Sequence, residues 1–203
     1  MGRRWMFRLA VAIMAPVILT GCIDELSEIF TIIAFSESDD PDVRRSGELI
    51  ANNRERIEVN DLVDKFLETG DESNLDSALQ IRPDDTELLA FKVALATLGG
   101  DPTGVEAAKK ALALAESKRI ASFLQPGATP ITAANIRRNV LDQVLVAQTK
   151  MLGGALFEPW DPPSEGAGPG AQQLFVDYCA TRNEIMTQFG DSFVGTLHSP
   201  GCP

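Results

Sequence analysis

Apolar residues recur along this chain at spacings of three and four, separated by short runs of Gly, Pro and acidic residues, and no stretch alternates as a strand would. Leu26, Ile29, Phe30 and Ile33 form the first group, with Asp24, Glu25 and Glu28 on other faces, and predict a helix over 23–35. Ser36 to Asp42 is an acidic break in which Asp40 offers an N-cap and Pro41 a first helical residue. Beyond Val43, the positions Leu49, Ile50, Ile57, Leu62, Val63, Phe66 and Leu67 predict one long helix or two abutting ones, closed by Gly70-Asp71. Asp71 or Ser73 opens a short helix carrying Leu75, Ala78, Leu79 and Ile81, which Pro83 ends.

Asp84 or Asp85 caps the next helix, with Leu88, Leu89, Phe91, Val93, Ala94, Leu95 and Leu98, halted by Gly99-Gly100. Asp101-Pro102 starts another through Val105, Ala108, Leu112, Ala115, Ile120 and Leu124, interrupted by Pro126, Gly127 and Pro130. Thr132 begins a helix with Ile136, Val140, Leu141, Val144, Leu145 and Leu152. A Pro/Gly-rich loop covers 153–170, a last helix carries Leu174 to Phe189, and a tail runs over 190–203. The fold class expected is all-α, a helix-turn-helix array or a bundle.

The N-terminus has a different character. Arg3, Arg4 and Arg8 precede an apolar run from Leu9 to Leu19, which ends in Leu19-Thr20-Gly21-Cys22. This arrangement resembles the signal peptide and lipobox of bacterial lipoproteins. The run holds 11 residues, against the roughly 20 that span a bilayer as a helix, and Pro16 interrupts it. The resemblance implies cleavage after Gly21, an acylated Cys22 as first residue, and anchoring by two or more acyl chains. An ordinary secretory peptide cut near Gly21, with Cys22 a bystander, is the plainer alternative. The expected organisation is a signal peptide over 1–21 and one helical domain over 22–203, whose 23–35 helix lies against the membrane surface or in the core. Ile23, where an inner-membrane sorting rule of enteric bacteria has Asp, favours the outer membrane. N-myristoylation at Gly2 is disfavoured because Met6 replaces the required Ser or Thr.

Cleavage at that point removes three arginines and no acid, which takes the formal charge from −11 to −14. Such a surface repels nucleic-acid phosphates and anionic headgroups, so no nucleic-acid partner is expected. With Cys22 assigned to lipid, Cys179 and Cys202 remain, and in an oxidising compartment an even pair reads as a disulfide. A metal site of Cys179, His198 and Cys202 is the competing idea, with three candidate ligands only. No metal and no cofactor are expected.

The stretch from Leu75 to Ala115 carries a second resemblance. Ala78-Leu79-Gln80-Ile81-Arg82-Pro83-Asp84-Asp85 is similar to the end of a tetratricopeptide repeat, and Ala111-Leu112 follows Ala78-Leu79 by 33 residues, near that family's period. About one repeat and a half is covered, and Val59 and Asp71 stand where the preceding unit has small residues. The resemblance implies paired helices with a concave face, in a degenerate version; general capping rules in an unrelated bundle produce the same Pro-Asp-Asp signal. The acidic block Ser36 to Val43 ahead of helices is also similar to helical lipoproteins that accompany tripartite solute transporters.

Catalytic constellations are sparse. The one histidine, His198, lies in the tail, and no Gly-x-Ser-x-Gly elbow exists. Gly190-Asp191-Ser192 resembles the opening block of an esterase family, but it follows a helix and 11 residues remain after it. Carboxylates cluster at helix starts, where they complement the macrodipole, and Asp39, Asp40 and Asp42 lack the spacing of a Ca²⁺ loop. The chain is not expected to be an enzyme. Trp160, among Pro159, Pro162 and Pro163, is either an exposed partner anchor or a lid folded over the helices.

The reading that results is a membrane-anchored, extracytoplasmic, non-catalytic scaffold or accessory subunit facing the periplasm. Its partners would be the bilayer, through acylated Cys22, and an unidentified protein held in a groove between about Asp61 and Ser117, basic to match an acidic surface. The alternative is a small-molecule-binding lipoprotein associated with a transporter, whose cavity Phe91, Leu95 or Leu145 would line. Trp160, Phe91 and Leu95 are thus the candidate binding residues.

Overall fold

Capping chemistry decides where the helices of this chain begin and end. The computed structural model describes residues 41–124, 132–154, 159–190 and 201–202. Their order is α1 (Pro41–Thr69), α2 (Glu72–Ile81), α3 (Thr86–Leu98), α4 (Pro102–Phe123), α5 (Ala133–Met151), a 3-10 turn (Glu165–Ala167) and α6 (Pro169–Phe189). No strand occurs among the described residues, and the fold is all-α. The lipobox with Cys22, the expected 23–35 helix, Asp40 and His198 lie outside the described residues.

Asp71 caps α2 by accepting from the Ser73 N–H, and Asp85, rather than Asp84, caps α3 by accepting from the Glu87 and Leu88 N–H groups. Thr132 caps α5 through the Asn135 N–H. Each side chain satisfies donors that a helix start leaves without an intrahelical partner. Asp101 makes no such bond, and α4 starts instead on Pro102, whose fixed φ suits the first turn. Gly70 and Gly190 close α1 and α6 at φ +69° and +59°, where a side chain would be strained.

The chain forms two compact units, 1–58 and 59–203, and α1 contributes residues to both. In the first, the described residues are 41–58. Leu49, Ile50 and Ile57, whose spacing predicts this helix, are exposed there. Arg54, Glu55, Arg56 and their charged or amide-bearing neighbours break any continuous apolar stripe along this part of the helix.

In the second unit, α3 is the centre. Leu88, Leu89, Ala90, Phe91, Val93 and Ala94 are all buried, so its apolar surface runs around the whole helix, and such a helix belongs inside. It packs against α2, α4, α5 and α6. Val59, Val63 and Phe66 at the end of α1, Leu75 and Ala78, Leu112 and Ala115, Val140, Val144 and Leu174 complete this core. Phe66 meets Phe91 edge-on with ring centroids 5.8 Å apart. Each large side chain buried here stabilises the fold by roughly 1.5–3 kcal/mol relative to exposure. α3 also meets α6, which follows it in the chain by two intervening helices.

A smaller core holds Leu145, Tyr178, Cys179 and Ile185, with Trp160, Phe175 and Cys202 against it. Cys179 and Cys202 form the expected disulfide, with Cα atoms 5.5 Å apart, and tie the chain end to α6. Ion pairs join neighbouring elements at the surface: Lys92 to Glu72 and Asp76, Lys118 to Asp84, Lys150 to Glu87, and Arg137 to Glu184. No helix among the described residues is long and apolar enough to cross a membrane.

Candidate functional site

Two concavities flank α4 and α5, one of them where these helices converge with α3 and α6. The first is a cleft of about 340 Å³, with apolar walls from Val93, Val140, Leu141, Val144 and Ala180. Its polar groups are Thr97, Gln148 and Thr181, with the charges of Lys109, Arg137, Asp177 and Glu184. The volume falls at the lower end of the roughly 300–1,000 Å³ usual for small-molecule sites.

Gln148 sets the chemistry of this cleft. It follows Val140 and Val144 at four-residue steps on α5, so the helix aims it at the interior. It is 2 % exposed, and its Oε1 is buried with no hydrogen-bond partner among the described residues. A buried carbonyl left unpaired costs about 1–3 kcal/mol. Thr97 and Thr149, also buried, instead donate to the Val93 and Leu145 carbonyls one turn back. Arg137 donates to Glu184 Oε1 through Nε at 3.1 Å and Nη2 at 2.6 Å. Asp177 accepts from Gln173 through Oδ1. Lys109 has no ion pair among the described residues.

The second concavity is an open groove along α4 and α5, of about 790 Å³. Ala107, Ala113, Ala133, Ile136 and Val140 give it an apolar floor; Lys109, Lys110 and Arg137 against Glu106 give it a basic rim. Leu114 is 59 % exposed and extends the same helix face, following Lys110 and Ala107 at four and seven residues. The α4 side of the groove falls within the Asp61–Ser117 stretch expected from sequence and its α5 side lies beyond it, and its rim has the opposite sign to the net charge. The cause is local: Lys109-Lys110 concentrates cations on α4 of an otherwise acidic protein.

Of the expected binding residues, none lines the cleft or the groove. Phe91 is wholly buried in the main core, with the Lys150 ammonium 5.7 Å over its ring, and Leu95 packs against the same core. Leu145 is buried in the smaller one. Phe91 and Leu95 stand in the core because α3 is apolar on nearly every side, and Leu145 because it lies on the inward face of α5. Trp160 takes the lid arrangement of the two that the sequence allowed. Its ring stands edge-on to Phe175 and Tyr178, with centroids 6.3 and 5.5 Å away, and closes over Gly154.

Among the described residues Glu116 is the one fully buried carboxylate, and sequence reasoning passed it over. Arg119 donates to both of its oxygens, at 2.6 and 2.8 Å, and Asn139 donates to Oε1 at 2.8 Å. The Arg119 hydrogen bonds, with a smaller contribution from Asn139, hold its carboxyl below the ordinary glutamate value despite burial. This network joins α4 to α5 beside the groove. The position was legible in part, since Glu116 follows the buried Leu112 by four residues.

Compared with known proteins, the chain matches no family model, no curated protein and no solved structure.

Proposed function

We propose that this protein is a lipid-anchored, extracytoplasmic accessory subunit, without catalytic activity, that docks a protein partner in the α4–α5 groove. The observation that carries the reading is the groove itself: an apolar floor of alanines with Ile136 and Val140, open to solvent, under a cationic rim. Small side chains let a second helix approach closely, and Lys109, Lys110 and Arg137 select for carboxylates. The occupant is thus an acidic amphipathic helix of another envelope protein, in place of the basic partner that overall charge suggests. The repeat-like stretch from Leu75 to Ala115 supplies α3 and most of α4 to this arrangement. The Leu19-Thr20-Gly21-Cys22 motif supports periplasm-facing attachment through acylated Cys22, with the outer membrane as the favoured destination. The cleft favours a second reading, small-molecule binding.

The test is site-specific photo-crosslinking in intact envelopes, with the probe at Ala113 and a control probe at the exposed Val176 of α6. One discrete adduct is expected from Ala113 alone, weakened by high salt and by Lys110→Glu. Identical adducts from both positions, or none from Ala113, would refute the docking reading. Intact-mass analysis tests the anchor: an unmodified Cys22, or a retained leader, overturns it.

A further inference from the structure

Gln148 is not used by the docking surface, and its state asks for a ligand. Buried amides find partners in folded proteins, yet this one stands in the cleft wall with its carbonyl unpaired. Around the same space are two cations, Lys109 and Arg137, and two carboxylates, Asp177 and Glu184, whose formal charges sum to zero. Lys109 has no ion pair among the described residues, and Arg137 keeps Nη1 beyond its two bonds to Glu184. Asp177 Oδ2 and Glu184 Oε2 take no hydrogen bond among the described residues. A purely anionic ligand would face two carboxylates here, and a purely cationic one two cations. A molecule carrying both signs meets its complement at each end.

We infer that the cleft binds a small zwitterion of the α-amino-acid class. Its ammonium donates to Gln148 Oε1 and to Asp177, its carboxylate accepts from Lys109 and Arg137, and Val93, Val140 and Val144 enclose its hydrocarbon part. The inference stands apart from the groove, because Gln148 and Asp177 do not line it. Lys109, Arg137 and Val140 line both, so an occupied cleft draws on two of the groove's cations.

The experiment is calorimetric titration of the full chain, recovered in mild detergent, with the common α-amino acids singly. The matching amine without carboxylate and acid without amine serve as controls. At least one amino acid is expected to give saturable heat, with both controls about tenfold or more weaker. Gln148→Leu is expected to weaken that binding by a similar factor while leaving the unliganded melting temperature unchanged or higher, since it removes an unpaired buried carbonyl. Asp177→Asn, at a part-exposed position, is the second variant, expected to weaken the amino acid and the amine but not the acid. Lys110→Glu should leave all three titrations unchanged, which separates failure of the cleft from failure of the groove. The inference is overturned if no amino acid binds, if the controls bind equally, or if Gln148→Leu lowers the melting temperature and retains binding.

Discussion

Replacing Glu116 by Gln tests whether the buried carboxylate holds α4 to α5. Three charge-assisted hydrogen bonds converge on it, two from Arg119 and one from Asn139, and both carboxylate oxygens accept from N–H groups. The amide of a glutamine must therefore place its NH₂ against a donor, whichever way it is turned. Removing one partner of a fully buried ion pair costs about 3–5 kcal/mol when the other charge is stranded. Arg119 is not stranded, since its side chain is 46 % exposed and can turn to water. The expected loss is then about 2 kcal/mol, the scale of hydrogen bonds to a charged group. For a unit of this size that corresponds to a melting temperature lower by roughly 4–8 °C. The assay is thermal unfolding followed by circular dichroism, at neutral pH and at steps downward through the carboxylate range.

The pH series carries the sign. Arg119, and after it Asn139, keep the folded-state pKa of Glu116 below its ordinary value, so the folded state binds this proton less readily than the unfolded chain does. The contribution is complete above the unfolded value and lost as pH falls through the folded one. The gap between wild type and Glu116→Gln should therefore narrow in acid. An unchanged melting temperature at neutral pH, or a gap that stays constant into acid, would refute the argument.

Cys179→Ser should lower stability by roughly 3 kcal/mol on chain-entropy grounds for a separation of 23 residues, and reduction of the wild type should produce the same shift in a thermal melt. Leu75→Ala, at a fully buried position, should cost about 2–5 kcal/mol in chemical denaturation, with little change in the slope. In Gly154→Ala the new Cβ would stand 2.6 Å from Trp160 Cδ2 and Cε2, so the indole must leave Phe175 and Tyr178. With the leader removed Trp160 is the remaining tryptophan, and its emission should shift to the red, at a stability cost of about 1–3 kcal/mol; an unshifted spectrum would contradict the lid.

Local rules gave the helices. Asp71, Asp85, Thr132, Pro102, Gly70 and Gly190 act through bonds to atoms within a few residues, so spacing alone announces them; α6 departs from the reading, starting at Pro169 inside the stretch expected as a loop. The disulfide was legible for a similar reason: once Cys22 is set aside for lipid, few thiols remain to pair. Periodicity marked the long helix but not its buried face: Leu49, Ile50 and Ile57, with few apolar companions, are exposed, while Val59, Val63 and Phe66 are buried.

Facing relations were decided by packing. The sequence marked α3 as apolar, which alone implied burial; that burial then removes Phe91 from any ligand surface, a step that periodicity counts do not take. Gln148 stands at an apolar register after Val140 and Val144, a sign visible in the chain, but its lack of a partner depends on what α3 and α6 bring opposite. The meeting of Lys109, Arg137, Asp177 and Glu184 likewise joins residues from three helices that no spacing rule relates. Helix formation and capping are short-range, settled within one or two turns. Clefts, grooves and the sign of their rims arise from contacts between segments tens of residues apart, which only the folded chain assembles.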